Sequence, residues 1–414
     1  MKKRYDSYKP SGIDWIGDIP SHWTVCRIKD CFILKTGTTP KGFDKPINDN
    51  EINWFTPSDI SSSGTILQEA DRKLSENLIN KEGISLFPQK SLIFVGIGAT
   101  AGKLGFAEVA GYSNQQITGL IPKTCCSKYY FYYLCHDSKR VRDNASFTTL
   151  PIINNSYLSQ VYWVMPPLAE QEAIAAWLDE KCEDIDAAIA KVDREIELID
   201  ELKQSEISRV VTRGLNPDTP LRPSGIDWIG DIPKHWIICK VKHLVKFNSG
   251  DTITSEQFID NAEFPVYGAN GYRGQFDKYN FENQRILIGR VGALCGNVHY
   301  TNEKIWCSEH ALISSKAFGG LSFDYKWMCL LFESMNLNQY GGGSAQPVIA
   351  SSVIENLSII LPPLAEQQAI ADYLDKKCTE IDGLKAKLIK KRETLKELRQ
   401  SIISEVVTGK RKVI

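Results

Sequence analysis

Pro166 to Ala190 reads PPLAEQEAIAAWLDEKCEDIDAAIA, and Pro362 to Ala386 reads PPLAEQQAIADYLDKKCTEIDGLKA, the same segment 196 residues further on. The match resumes downstream, where ELKQSEISRVVT from Glu201 reappears as ELRQSIISEVVT from Glu397. Between Leu168 and Thr212 there is neither Pro nor Gly, so nothing interrupts a helix. Leu178, Ile185, Val192 and Ile199 recur every seven residues, with Cys182, Ile189 and Ile196 four residues on. The second copy sets Leu374, Ile381, Leu388, Leu395 and Ile402 at the same interval, joined by Leu384 and Leu398. A strict seven-residue apolar repeat predicts a left-handed helix pair, and the other copy is the available partner. Pro166-Pro167 and Pro362-Pro363 suit helix entry, while Gly214 and Gly409 suit helix stops. At about 1.5 Å per residue each helix spans on the order of 65 Å.

Charge supports direct pairing. Residues 166–214 carry 13 acidic and 6 basic side chains, whereas residues 362–414 carry 8 acidic and 12 basic ones. The flanking stretches are milder, at 15 acidic and 19 basic for 1–165 and 14 acidic and 12 basic for 215–361. Two ordinary long core helices are the alternative, but the narrow seam and the opposite charges favour a pair.

Each helix is preceded by a second kind of repeat. Pro10 to Trp23 reads PSGIDWIGDIPSHW and Pro223 to Trp236 reads PSGIDWIGDIPKHW, with thirteen of fourteen positions identical at an offset of 213. The repeated Trp15, Trp23, Trp228 and Trp236 read as packing anchors. Between the anchors the copies diverge over a shared skeleton: Gly96, Gly98 and Gly102 correspond to Arg290, Gly292 and Gly296, and Pro151-Ile152-Ile153 to Pro347-Val348-Ile349. Short apolar runs such as Ser91–Val95 and Arg285–Ile288, among many turns, predict mixed α/β (α+β) globules rich in strands. The expected organisation is a globule over 1–165, a helix over 166–214, a globule over 215–361 and a helix over 362–414, an internal pseudo-two-fold repeat with the helices antiparallel. A kept frame with altered surfaces suits two different targets.

At 414 residues, 43% hydrophobic and 24% charged, the chain is long enough for two or more cores and has no apolar run of membrane-spanning length. The basic start has no apolar stretch after it, so a cytoplasmic protein is expected. Its 11 cysteines are scattered and lack paired C-x-x-C spacing, and they read as reduced core residues with no metal site. A net charge of −1 argues against nucleic-acid binding by bulk positive field alone.

The run VGIGATAGK from Val95 does not meet phosphate-loop spacing, since Leu104 follows Lys103 where Ser or Thr is required. Its glycines are expected to shape a turn between strands. Met165-Pro166-Pro167-Leu168 lacks the polar and aromatic ends of an adenine-methyltransferase loop, and no nucleophile elbow or zinc-protease motif occurs. No catalytic residue is assigned. What remains are amides, hydroxyls and guanidiniums on loops, which pair with base edges and phosphates. The candidates are Thr38, Thr39, Lys41, Lys103, Asn114, Gln115, Gln116, Ser146 and Thr148 in the first globule, and Asn270, Tyr272, Arg273, Arg290, His310, Ser344 and Gln346 in the second. Turn caps and solvated loop residues draw on the same residue types.

The order of globule, PPLAEQ helix, globule, PPLAEQ helix resembles the specificity subunits of type I restriction-modification systems over essentially the whole chain. Pro166–Gln171, Pro362–Gln367, GIDWIGDIP from Gly12 and from Gly225, Gly37-Thr-Thr-Pro40 and Tyr267-Gly-Ala-Asn-Gly271 carry the likeness. The first globule lacks a counterpart of the last. The resemblance implies two target-recognition domains, each reading half of a bipartite, asymmetric double-stranded DNA site, with the helices as spacer. It implies two methyltransferase subunits as partners, with restriction subunits as optional additions. S-adenosylmethionine, ATP and Mg²⁺ then belong to those partners, and this chain is a non-catalytic subunit holding no cofactor. Partner subunits would supply much of the phosphate neutralisation. A coiled-coil scaffold with two peptide- or protein-binding globules, and an enzyme with an unrecognised site, are the competing classes.

Overall fold

The computed structural model describes residues 3–413 apart from 42, 44–49, 63, 83, 144–145, 148–150, 318–320 and 343–346. The chain divides into two compact units, Met1–Val192 with Lys390–Ile414, and Asp193–Ile389. Each is a mixed α/β globule with segments of two long helices, Leu168–Arg213 and Leu364–Val407.

In the first unit the main sheet runs Phe32–Thr36, Ile117–Pro122, Leu92–Val95, Leu104–Ala107 and Thr65–Leu67 across, antiparallel except for the last pair. A smaller sheet sets Glu51–Phe55 between Tyr112–Ser113 and Arg72–Ser75. The helix Ser127–Asp143 lays Tyr129, Tyr130, Tyr133 and Leu134 into the core beside Trp23 and Trp163. The second unit repeats the plan with Val245–Ser249, Ala311–Lys316, Arg285–Gly289 and Val298–Thr301, and with Phe264–Gly268 between Gly271–Phe276 and Trp306–Cys307. The first unit adds Thr65–Leu67 where the second has only the tight Gly268–Gly271 turn.

The strictly repeated sequences meet at one junction in each unit. SGIDWIG forms a hairpin loop, with Gly12 and Gly17 at φ +75° and +69° and Gly225 and Gly230 at +71° and +70°, which L-residues with a Cβ avoid. The following His-Trp pair then meets the start of a long helix. Trp23 Nε1 donates to Glu170 Oε2 at 2.7 Å, with His22 Nε2 3.0 Å from the same oxygen. In the second unit Trp236 Nε1 donates to Glu366 Oε2 at 2.9 Å, with His235 Nε2 2.6 Å from Oε1. The glutamine of each PPLAEQ folds back, Gln171 Nε2 to the Pro166 carbonyl and Gln367 Nε2 to that of Pro362, both at 2.8 Å. Its Oε1 accepts the backbone N–H of Cys126 in one unit and of Asp324 in the other.

The other end of each helix closes the opposite copy's globule. Ile403, Val406 and Val407 lie in the first unit's core, and Ile207, Val210 and Val211 in the second's. Gly409 (φ +75°) and Gly214 (φ +77°) stop the helices, and a Cβ on either would press on Trp23 or Trp236. Within each unit the helical segments run antiparallel: Asp186 faces Arg399 at 2.9 Å in the first, and Asp200 faces Lys385 and Lys203 faces Asp382, both at 2.7 Å, in the second. Asp186–Arg399 and Asp382–Lys203 occupy matching places of the repeat.

Of the expected seam, Leu178, Ile185, Val192, Leu374 and Ile381 are buried, while Ile199, Leu388, Leu395 and Ile402 are half-buried. Leu178 and Leu374 are also part of the globules' cores. Leu384 and Leu398 do not join the seam; they are 53% and 47% exposed. At 3.6 residues per turn, a step of four lies about 40° from the seam line and a step of three about 60° on its other side. The four-residue row is the one that turns inward, with Cys182 buried and Ile189 and Ile196 half-buried. Among the described residues no helix is long and apolar enough to cross a membrane.

Candidate nucleic-acid interface

In both units the glycine loop after the central strand is held by the same backbone hydrogen bonds. Gly96 N–H donates to the Gln116 carbonyl at 2.8 Å, Gly98 to Pro151 at 3.2 Å, Gly102 to Val95 at 2.8 Å, and Ile153 to Gly96 at 2.8 Å. In the second unit Arg290 donates to His310 at 2.9 Å, Gly292 to Pro347 at 2.9 Å, Gly296 to Gly289 at 2.8 Å, and Ile349 to Arg290 at 2.9 Å. The neighbouring loop follows suit: Gly37 and Thr38 bond to Ile117 and Ser113, and Gly250 and Asp251 to Ala311 and Cys307. The glycine run is thus a strand-connecting turn, as its sequence suggests, and the frame is duplicated bond for bond.

The side chains on that frame differ. Gly96 stands where the second unit has Arg290, Gln116 where it has His310, Lys103 where it has Asn297, and Thr38 where it has Asp251. In the first unit Thr38, Thr39 and Gln115 are exposed, and Thr39 Oγ1 donates to Gln115 Oε1 at 2.9 Å. Asn114 turns the loop, its Oδ1 accepting from Gln116 N at 3.0 Å and its Nδ2 donating to Gln116 Oε1 at 3.1 Å. Gln115 and Gln116 line a cleft of about 290 Å³ with Thr36, Thr118, Asn154 and Asn155. Those last four were not singled out from the sequence. Asn155 bridges Thr118 Oγ1 and Thr36 Oγ1 at 2.8 and 2.9 Å, and Asn154 caps the short helix behind it; an Asn-Asn pair before a helix was the available signal.

Lys41 is exposed. Lys103 is turned inward, its Nζ donating to the Ile60 carbonyl at 2.6 Å and the Pro57 carbonyl at 3.4 Å. Ser146 lies on the short strand Ser146–Phe147, paired with Pro151–Ile152. Thr148, Ser344 and Gln346 fall outside the described residues.

The second unit's set is cationic. Arg290 Nη1 donates to Ser249 Oγ at 3.1 Å, and exposed His310 Nε2 lies 3.5 Å from Glu309 Oε1. Tyr272 is 61% exposed on the Gly268–Gly271 hairpin, and Arg273 lies over the Phe258 ring at 5.6 Å. Asn270 Oδ1 accepts from Asn297 Nδ2 at 3.0 Å, which ties the hairpin tip to the glycine loop. His299, another residue the sequence did not mark, lies beneath Gly271, and burial holds its pKa below the usual imidazole range. Among the described residues no group of three or more His, Cys, Asp or Glu is placed to hold a metal ion. The arrangement is a pair of polar, loop-borne surfaces on rigid sheets.

Comparison with known proteins agrees with this geometry. A family model described as the type I restriction modification DNA specificity domain matches residues 20–198 and again 233–392. The type I restriction enzyme EcoprrI specificity subunit of Escherichia coli is 27% identical over 362 residues, 83% of this chain and 85% of that protein. The MjaVIII specificity subunit of Methanocaldococcus jannaschii is 23% identical across 95% of this chain and 94% of its own length. Among solved structures, a chain from a study of complex assembly and conformational transition of the type I R-M system aligns with a TM-score of 0.72, covering 94% of this chain and 98% of that one at 14% identity. The HsdS subunit of Thermoanaerobacter tengcongensis aligns at 0.51 with 15% identity, covering 94% and 98%. These structural likenesses concern the fold.

Proposed function

The chain belongs to the type I restriction-modification DNA specificity family, so its role is DNA sequence specificity, and we propose that each globule reads one half of a split, asymmetric duplex site. The target-recognition domains are residues 1–165 and 215–361, and residues 166–214 and 362–414 form the spacer. The duplicated frame with unlike side chains carries this reading. Phosphate contacts position a protein on DNA, whereas groups that reach base edges specify sequence. The first globule offers Thr38, Thr39, Lys41, Asn114, Gln115 and Gln116, a neutral set of amides and hydroxyls with one exposed lysine; side-chain amides pair well with adenine edges. The second offers Asn270, Tyr272, Arg273, Arg290 and His310, and guanidiniums pair well with guanine. Ser146, Thr148, Ser344 and Gln346 complete the surfaces proposed, while Lys103, bonded to the Ile60 and Pro57 carbonyls, supports the frame beneath them.

Two like junctions on one chain suit two copies of a methyltransferase subunit, with restriction subunits added where the system has them. Methyl transfer and cleavage, with S-adenosylmethionine, ATP and Mg²⁺, reside in those partners in a cytoplasmic complex. The spacer sets the distance between half-sites. Removing one heptad from each long helix shortens each by about 10 Å, or about three base-pair steps. Mapping of methylated sites is expected to show both half-site sequences kept and the gap between them changed; an unchanged gap refutes the spacer role.

A further inference from the structure

Three thiols from two distant stretches of the sequence meet in the first globule. Cys26 lies on the strand Thr24–Arg27, opposite Trp163, and Cys31 ends the helical turn Ile28–Cys31. Their sulfurs are 3.5 Å apart. Cys125 Sγ lies 3.4 Å from the Cys31 carbonyl oxygen, Trp163 Nε1 donates to Cys26 Sγ at 3.0 Å, and Tyr130 Oη is 3.7 Å from Cys31 Sγ. Hydrogen bonds from the Cys125 and Cys26 thiols hold Cys31 below the ordinary thiol range, so it is the first of the three to ionise. Cys31 is buried and Cys26 half-buried, so only a small oxidant can reach the pair.

The second globule shows that the frame does not need this cluster. Cys239 takes the place of Cys26 there, but Leu244 stands for Cys31 and Phe323 for Cys125. The same corner packs with one sulfur in place of three.

We propose that Cys26 and Cys31 are a redox-modification site, closing to a reversible disulfide when the folded chain meets a hydroperoxide. The Cys31 thiolate attacks the peroxide O–O bond and becomes a sulfenic acid, with the other oxygen leaving as water after taking a proton. Cys26 sulfur then attacks Cys31 Sγ, and the sulfenic oxygen leaves as a second water with the Cys26 proton. Two thiols and one hydrogen peroxide give one disulfide and two waters. A glutathione-type thiol–disulfide pool reverses it, two thiols of the pool becoming one disulfide as Cys26 and Cys31 return to thiols. Cys125 remains a thiol. Disulfide closure at this corner does not depend on how the chain reads DNA.

The test treats the native full-length chain with hydrogen peroxide, denatures it in excess alkylating agent and maps tryptic peptides. The expected product joins the peptide 5–27 to the peptide 30–35 through Cys26 and Cys31, with Cys125 and Cys239 alkylated, and a dithiol reductant restores both thiols. Cys125→Ser keeps this product, whereas Cys26→Ser leaves Cys31 as a sulfenic acid captured by a dimedone probe. Alkylation of both Cys26 and Cys31 after prolonged excess peroxide overturns the proposal. So does a Cys31–Cys125 link as the main product. The wild-type map decides the matter without any variant.

Discussion

Glu170→Ala is the sharpest probe of why PPLAEQ and the His-Trp pair are repeated together. Trp23 is fully buried, and its indole N–H ends on Glu170, whose side chain is only 13% exposed. Removing the carboxylate strands that N–H away from water, a cost of about 2 kcal/mol from the usual range for an orphaned buried donor. The matching Glu366 is 42% exposed, so water can replace it and Glu366→Ala is expected to cost about 1 kcal/mol or less. Glu170→Gln keeps an acceptor and is expected to stay within about 0.5 kcal/mol of the parent. Native-state hydrogen exchange on peptides spanning residues 20–27 and 233–240 reads each junction separately. The expected acceleration is about 30-fold for Glu170→Ala at the first junction and about fivefold for Glu366→Ala at the second, at about 1.4 kcal/mol per tenfold. Equal acceleration by both alanine variants, or as large an effect from Glu170→Gln, refutes the orphaned-donor reasoning.

Arg290→Gly installs the residue found at the matching place of the first globule; in competition binding it is expected to relax discrimination at one half-site by about 1–3 kcal/mol, roughly 5- to 150-fold, and to leave the other half-site untouched. Lys103→Met is expected to lower stability by about 1–2 kcal/mol through the loss of its bonds to Ile60 and Pro57, while the slope of log Kd against log salt stays the same, because the ammonium faces carbonyls and not phosphate. His299 has a folded pKa below its unfolded one, so its contribution to stability is fully present above the unfolded value of about 6.5 and is lost as pH falls through the folded value. His299→Phe is expected to lessen the fall in thermal midpoint between about pH 7.5 and 5.5; an identical fall in both proteins counts against the assignment.

The helices were legible because a seven-residue period needs no long-range information, and their ends were legible from Pro166, Gly214, Pro362 and Gly409. The inward row was not, since steps of three and four residues look equally apolar in a sequence and only the partner's position separates Cys182 from Leu384 and Leu398. The glycine skeleton was visible as Gly98 and Gly102 against Gly292 and Gly296, and the hydrogen bonds follow that alignment. Lys103 illustrates the limit at the surface: a loop lysine reads as a phosphate ligand until the chain brings Ile60 beneath it. The Trp23–Glu170 bond spans 147 residues, so the repeats showed that both ends mattered without showing that they touch.

That the last turns of the second long helix complete the first globule has a bearing on biosynthesis. A ribosome releases the strands of that globule early, but Val406 and Val407 must fill its core, and Tyr129 Oη must reach the Val407 carbonyl at 2.8 Å. Residues 193–389, by contrast, form one continuous stretch. The half begun first is therefore finished after the other, and stop codons between positions 390 and 405 would damage the first globule while sparing the one that residues 193–389 form.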